Sequence, residues 1–308
     1  MALLFAAPCI LLLLATNSFV TVAVVACALG VVVGLVCRDG LVAAGGVLFG
    51  AAMLWLRGAC GSSDGLEDAG ARLGATFDSF VAAAPLAAVL GCAAIWMIAV
   101  PAGEALRRGD ACRGRSIILG CLVPLVGAVI LRELMADLVV GRAVPVGWSV
   151  WQDVVAQFSL PAGAVAAVGC GAAAVAARKW FSVACWTAAS TGGVVLMAWG
   201  RADAGGLSVG TWLSLVQWVA LAIWLWAGEG GGRMAGWRGI AVVACAGSLA
   251  GVWPLPGGVW RWRLVEEMLR GGFGLAWDRA FLGATIVAWV LAVVAWLPWA
   301  WRVLRERA

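Results

Sequence analysis

Apolar runs long enough to cross a lipid bilayer recur along this chain, and that repetition restricts its fold more than any single motif. A helix needs about 20 apolar residues to cross the hydrocarbon core. Runs of that order fall at 3–37 (one long or two short helices), 40–56, 80–102, 116–140, 161–177, 182–199, 206–227, 239–257 and 280–300. Inside lipid, backbone N–H and C=O groups must be satisfied within the protein, which leaves helices or a closed barrel. Barrel strands read as alternating segments of about 10 residues, whereas these runs are continuous. The expected class is an all-α polytopic membrane protein with about 9–11 transmembrane helices. Composition agrees: the chain is 64% hydrophobic and 12% charged, where soluble domains carry about 45–50% and about 25%.

The connectors fall at 38–39, 57–74, 104–115, 141–160, 178–179, 201–205, 228–238 and 261–279. None has room for a soluble domain, so residues 1–308 read as a single membrane domain. The N-terminal 15 residues lack the basic start of a secretory signal, and the apolar stretch runs on past Asn17, so this segment is expected to be mature membrane helix. The net charge of +5 comes from arginines in loops, which serve topology and lipid headgroups rather than nucleic acid. Lipid is the expected surrounding and no nucleic-acid partner is expected.

Ten cysteines are scattered singly, with no C-x-x-C pair and no histidine. That removes zinc sites of the usual spacing, imidazole-ligated haem and histidine acid–base pairs. Cys92, Cys121 and Cys170 lie in apolar runs and read as small core-filling thiols. Tyrosine is also absent, Asn17 and Lys179 are the sole residues of their kinds, and tryptophan occurs 20 times. Interfacial belts normally use both Trp and Tyr, so membrane burial does not explain this bias. The rare residues share codons with A in the second position. A G-rich organellar gene accounts for the pattern, and reading its codons is the check.

Ionisable residues at membrane depth are the best functional pointers, because each costs several kcal/mol unless paired or hydrated. Arg132, Glu133 and Asp137 lie in the 116–140 run, with Glu133 and Asp137 at i and i+4 on one helix face. Charges at a helix end near the headgroups are an equally good reading of them. Arg178 and Lys179 sit between two apolar runs, where an interfacial turn is the direct reading. Arg261 and Arg263 follow a break in the run that begins near Gly239.

That break reads Ser-Leu-Ala-Gly-Val-Trp-Pro-Leu-Pro-Gly-Gly-Val-Trp-Arg-Trp over 248–262. Proline removes a helical hydrogen bond and glycine admits unusual dihedrals. The late helix is therefore expected to be broken between Pro254 and Gly258. At membrane depth such a break is tolerated only inside protein or beside a hydrated cavity, and a cation just after it fits an ion path. An ordinary interhelical loop with Arg261 at the interface is the alternative.

This segment resembles the broken late helix of the antiporter-like subunits of respiratory complex I (NADH:ubiquinone oxidoreductase), subunit 2 above all. There, Ser-Leu-Ala-Gly is followed by an apolar residue, Pro-Pro, Gly-Phe and a lysine four residues after the glycine. Aligned without a gap, Pro254 falls on the second proline, Gly257 on the glycine and Arg261 on the lysine; Trp253 replaces the first proline and Gly258 the phenylalanine. Phe77-Asp78-Ser79-Phe80 is similar to the family's Asp-Ser-Phe start of an early helix. Gly127 to Asp137-Leu138 resembles a span ending in Asp-Leu-Leu. Gly171 to Lys179 resembles the approach to a Lys-Arg pair, reversed here, and Trp299-Ala300-Trp301-Arg302 resembles a closing Tyr-Tyr-Leu-Arg. The likeness covers 77–308, with 1–76 divergent and an apparent deletion around 140–165.

The resemblance implies a reduced membrane-arm subunit of a proton-translocating NADH:ubiquinone reductase, in the mitochondrial inner membrane or, alternatively, a bacterial cytoplasmic membrane. Its partners would be other membrane-arm subunits. The chain would bind no cofactor and carry no catalytic centre, since NADH, FMN, Fe–S clusters and quinone belong to the rest of that complex. The proton-pathway candidates it implies are Lys179, Glu133, Asp137 and Arg261. Arginine is a poor proton carrier because it stays charged, and the family's paired mid-membrane lysines have no counterpart. Two readings follow: a reduced proton conductor using Lys179, Glu133 and acidic neighbours, or a structural spacer, which the arginine favours. An unrelated small transporter is the third.

Overall fold

A computed structural model describes residues 18–59, 80–106, 118–135, 150–201, 203–228, 237–270 and 276–305. Among these residues the fold is all-α, with no strand. The first helix, α1 (Phe19–Cys37), ends where Arg38 takes a left-handed φ of 52° and its N–H returns to the Gly34 and Leu35 carbonyls. Asp39 then accepts from the Leu41 and Val42 N–H groups at 3.0 and 3.2 Å, capping α2 (Gly40–Ala59). A left-handed C-cap followed at once by an aspartate N-cap lets two residues reverse the chain.

Helix α3 runs as Phe80–Ala94, passes through a π-helical turn at Ile95–Ala99 and continues as Val100–Leu106. The π turn aims Trp96 and Met97 inward, and Trp96 meets Phe49 of α2 edge-on with centroids 5.5 Å apart. Next come α4, a π turn at Ile118–Leu122 followed by Val123–Met135, then α5 (Val150–Ala176) and α6 (Trp180–Gly200). Helix α7 covers Ala204–Gly228, α8 Trp237–Ala250, α9 Pro256–Arg270 and α10 Ala276–Arg305. Seven of these (α1, α2, α3, α5, α6, α7 and α10) are long and apolar enough to cross a membrane; α4 and α8 are shorter apolar helices.

The interior is built around α6. Its spanning window is 83% buried, against 28% for α5 and α10, so α6 is enclosed while those two present broad outer faces. Close approach explains how α6 is enclosed. A Cβ on Gly163 of α5 would lie 2.6 Å from the Gly193 carbonyl of α6. Small residues at a helix contact let membrane helices approach this closely.

Three stretches expected as connectors are helical instead. Residues 104–106 continue α3, because Glu104 falls on the same face as buried Val100 and Pro101. Residues 150–160 open α5; there Val155 and Ser159 are buried while Gln157 is exposed. Pro161 sits inside that helix, as membrane helices permit when neighbours satisfy the freed backbone. Residues 261–270 belong to α9, which buries Leu264, Val265 and Met268 and exposes Arg263 and Arg270. An amphipathic helix of this kind escapes a reading by mean hydropathy.

Candidate functional site

The late helix is interrupted as expected, but earlier than the expected Pro254–Gly258: the non-helical stretch is 251–255, and Pro256, Gly257 and Gly258 already belong to the next helix. At 14 residues, α8 is only about 21 Å long, short of the roughly 30 Å hydrocarbon core. It ends at Gly251, which holds a φ of +79°. The Gly251 N–H donates to Ser248 O at 3.0 Å and the Val252 N–H to Gly247 O at 2.8 Å, the paired bonds of a Schellman end. The Trp253–Pro254 peptide is cis. Helix α9 restarts with Pro256 in its first position, where the missing N–H costs nothing. The two halves are pinned together, since the Gly257 N–H donates to Ser248 Oγ at 3.0 Å.

Arg261 lies in the first turns of α9 and is 3% exposed, so it stands in a helix enclosed by protein rather than in an interhelical loop. Its Nη2 donates to Thr191 Oγ1 of α6 at 2.8 Å. Thr191 is about 16 Å from the start of α6 and about 14 Å from its end at 1.5 Å per residue, so the guanidinium meets this candidate spanning helix near its midpoint. Its Nη1 has no hydrogen-bond partner, and no carboxylate among the described residues pairs with Arg261. The guanidinium packs directly on Gly251: a Cβ there would collide with Nη1 and lie 3.0 Å from Cδ. From the other side, Trp289 of α10 donates through Nε1 to the Gly251 carbonyl at 2.8 Å. Beside Arg261, Trp260 stacks on Trp212 of α7 with centroids 5.7 Å apart.

A band of polar side chains extends from Thr191. On α6, Thr191 donates to Thr187 O at 3.0 Å, Thr187 to Val183 O at 2.7 Å, and Ser190 to Ala167 O of α5 at 2.7 Å. On α7, Gln217 is fully buried, and neither its Nε2 nor its Oε1 has a partner. Because α6 and α7 are joined by a tight turn, Thr187 and Gln217 each lie about 20 Å from it, at one depth. Buried Glu104, on α3, lies within electrostatic range of Cys185.

Among the described residues, Arg261 is the one singled out from sequence that sits in this centre. Lys179 is exposed in the turn between α5 and α6, about 18 Å along α6 from Thr191. Glu133 is on α4, but its side chain and all of Asp137 lie outside the described residues. Thr191, Gln217, Glu104 and Trp289 were not anticipated. The signal for Gln217 was present as a lone amide in an apolar run, which membrane helices seldom carry without a partner. Among the described residues no three His, Cys, Asp or Glu side chains come together as a metal site.

No protein-family model matches the chain, and no curated protein sequence is significantly similar to it. The fold is similar to that of a chain in the solved Mrp complex from Dietzia sp. DQ12-45-1b. The TM-score is 0.68 at 17% identity over 96% of this chain. The match spans 59% of that longer chain, so this protein has the fold of a little over half of it.

Proposed function

We propose that this chain is an antiporter-like membrane subunit of a larger proton-translocating assembly, related to the membrane arm of complex I. The observation that carries the reading is the discontinuous α8–α9 helix, with a buried cation ten residues beyond the helix break at Gly251. The fold shared with a chain of the Mrp complex and the order of the sequence motifs support it. The finer assignment is a reduced subunit 2 of NADH:ubiquinone oxidoreductase. In that setting the chain has no catalytic centre, and NADH, FMN, Fe–S clusters and quinone are bound elsewhere. Its membrane is the mitochondrial inner membrane, with a bacterial cytoplasmic membrane as the alternative.

Within that assembly the structural role is favoured over proton conduction. A relay group must gain and lose its proton, and arginine stays charged where lysine can be neutralised by burial. The one lysine lies on the surface turn rather than in the polar centre. Purification of the native chain in mild detergent tests the assembly reading. It is expected to migrate with NADH- and quinone-reactive subunits in a large membrane complex; recovery as an isolated chain would overturn it.

A further inference from the structure

We propose that the α8–α9 break is a monovalent-cation site that the chain fills permanently with its own Arg261 guanidinium. The inference rests on the antiporter-like reading above and names what occupies the broken helix in this subunit.

The C-terminal end of a helix carries about half a negative charge on its last carbonyls. Half-helices that end at membrane depth use those carbonyls to hold small cations. Helix α8 ends in this way, and the cation found against its end is covalently part of the chain. Its described neighbours are uncharged: Thr191 Oγ1 takes the Nη2 hydrogen bond, and Gly251, just past the end of α8, underlies the guanidinium. Since no described carboxylate pairs with Arg261, the compensating charge is that of the helix end.

A tethered guanidinium differs from a mobile cation in two ways. It cannot leave, because α9 is held by the Gly257–Ser248 bond and by Leu264, Val265 and Met268 in the core. It also cannot discharge by giving up a proton under ordinary conditions. The break is thereby closed to any passing cation, which gives the non-conducting subunit a physical cause. Removing the side chain leaves a guanidinium-sized space beside the α8 end and the Thr191 hydroxyl.

The test uses the full-length chain in lipid nanodiscs as wild type, Arg261→Ala, Arg261→Met and Arg261→Lys. Arg261→Ala is expected to unfold at lower temperature. Low-millimolar guanidinium should restore about half or more of that loss, while equal urea should not. Thallium(I) should bind to Arg261→Ala and not to wild type. Arg261→Lys, which keeps a cation, should hold wild-type stability, so the comparison survives if Arg261→Ala does not fold. Three results would each overturn the proposal. They are an Arg261→Met variant as stable as Arg261→Lys, an Arg261→Ala variant indifferent to cations, and a wild-type chain stabilised by bromide. Loss of co-purification with quinone-reducing subunits sinks the assembly reading alone, since these measurements are made on the chain itself.

Discussion

The guanidinium of Arg261 donates to the hydroxyl of Thr191 at 2.8 Å, joining the second half of a broken helix to the middle of the most enclosed of the described candidate spans. A charged donor in this setting has few substitutes. The Thr191 hydroxyl also donates onward to the Thr187 carbonyl, so one side chain both receives the cation and is oriented by its own helix.

Thr191→Val keeps the shape of the side chain and removes its acceptor. A buried charged donor left without its partner costs about 1–3 kcal/mol or more, so a clear drop in thermal stability in detergent is expected, with Thr191→Ser close to wild type. A Thr191→Val protein as stable as wild type would show that the bond contributes nothing.

Gly251→Ala should be destabilising for two separable reasons. The left-handed φ of +79° strains any residue with a Cβ by about 1 kcal/mol, and that Cβ would collide with the Arg261 guanidinium. In a double-mutant cycle with Arg261→Ala the collision with the guanidinium disappears while the backbone strain and the 2.7 Å approach to Trp289 Nε1 stay, so the two substitutions are expected to be non-additive by about 0.5–3 kcal/mol. Strict additivity would place the guanidinium elsewhere.

Lys179→Ala removes the sole lysine from an exposed turn. Surface substitutions of this kind stay within about 0.5 kcal/mol, and no change in proton translocation by the assembly is expected. A marked loss of translocation with unchanged stability would return Lys179 to the pathway and count against the structural role.

Gln217→Leu replaces an amide with no partner at either polar atom by an apolar side chain of similar size. Exchanging unsatisfied polar groups for apolar ones is neutral or stabilising, so the unfolding temperature should stay level or rise. A fall of several degrees would mean that the amide organises bound water needed for the fold. Gln217→Glu provides the contrast, because it buries a carboxylate and should lower stability.

Much of the architecture was legible residue by residue. Hydropathy is a local property, so the ends of α2, α6, α7 and α10 fall within a few residues of the expected spans. The Pro and Gly cluster of 254–258 pointed to the break within a few residues, although Pro256, Gly257 and Gly258 open α9 and the turn itself is made at Gly251. Helix α9 and the buried end of α3 were missed because their charges offset the apolar face in any running average.

What the chain determines by itself is therefore a membrane-embedded, all-helical fold with one late interruption and an arginine beyond it. Only the tertiary structure decided that Arg261 is buried rather than interfacial, that its partner is a threonine 70 residues away in sequence, and that Lys179 stands apart from both. The reason is physical. Burial of a helix face depends on which helices lie against it, and the 3.6-residue period says which residues share a face without saying what that face meets. The field at the α8 end acts on whatever the packing places there, and the fold places Arg261 there.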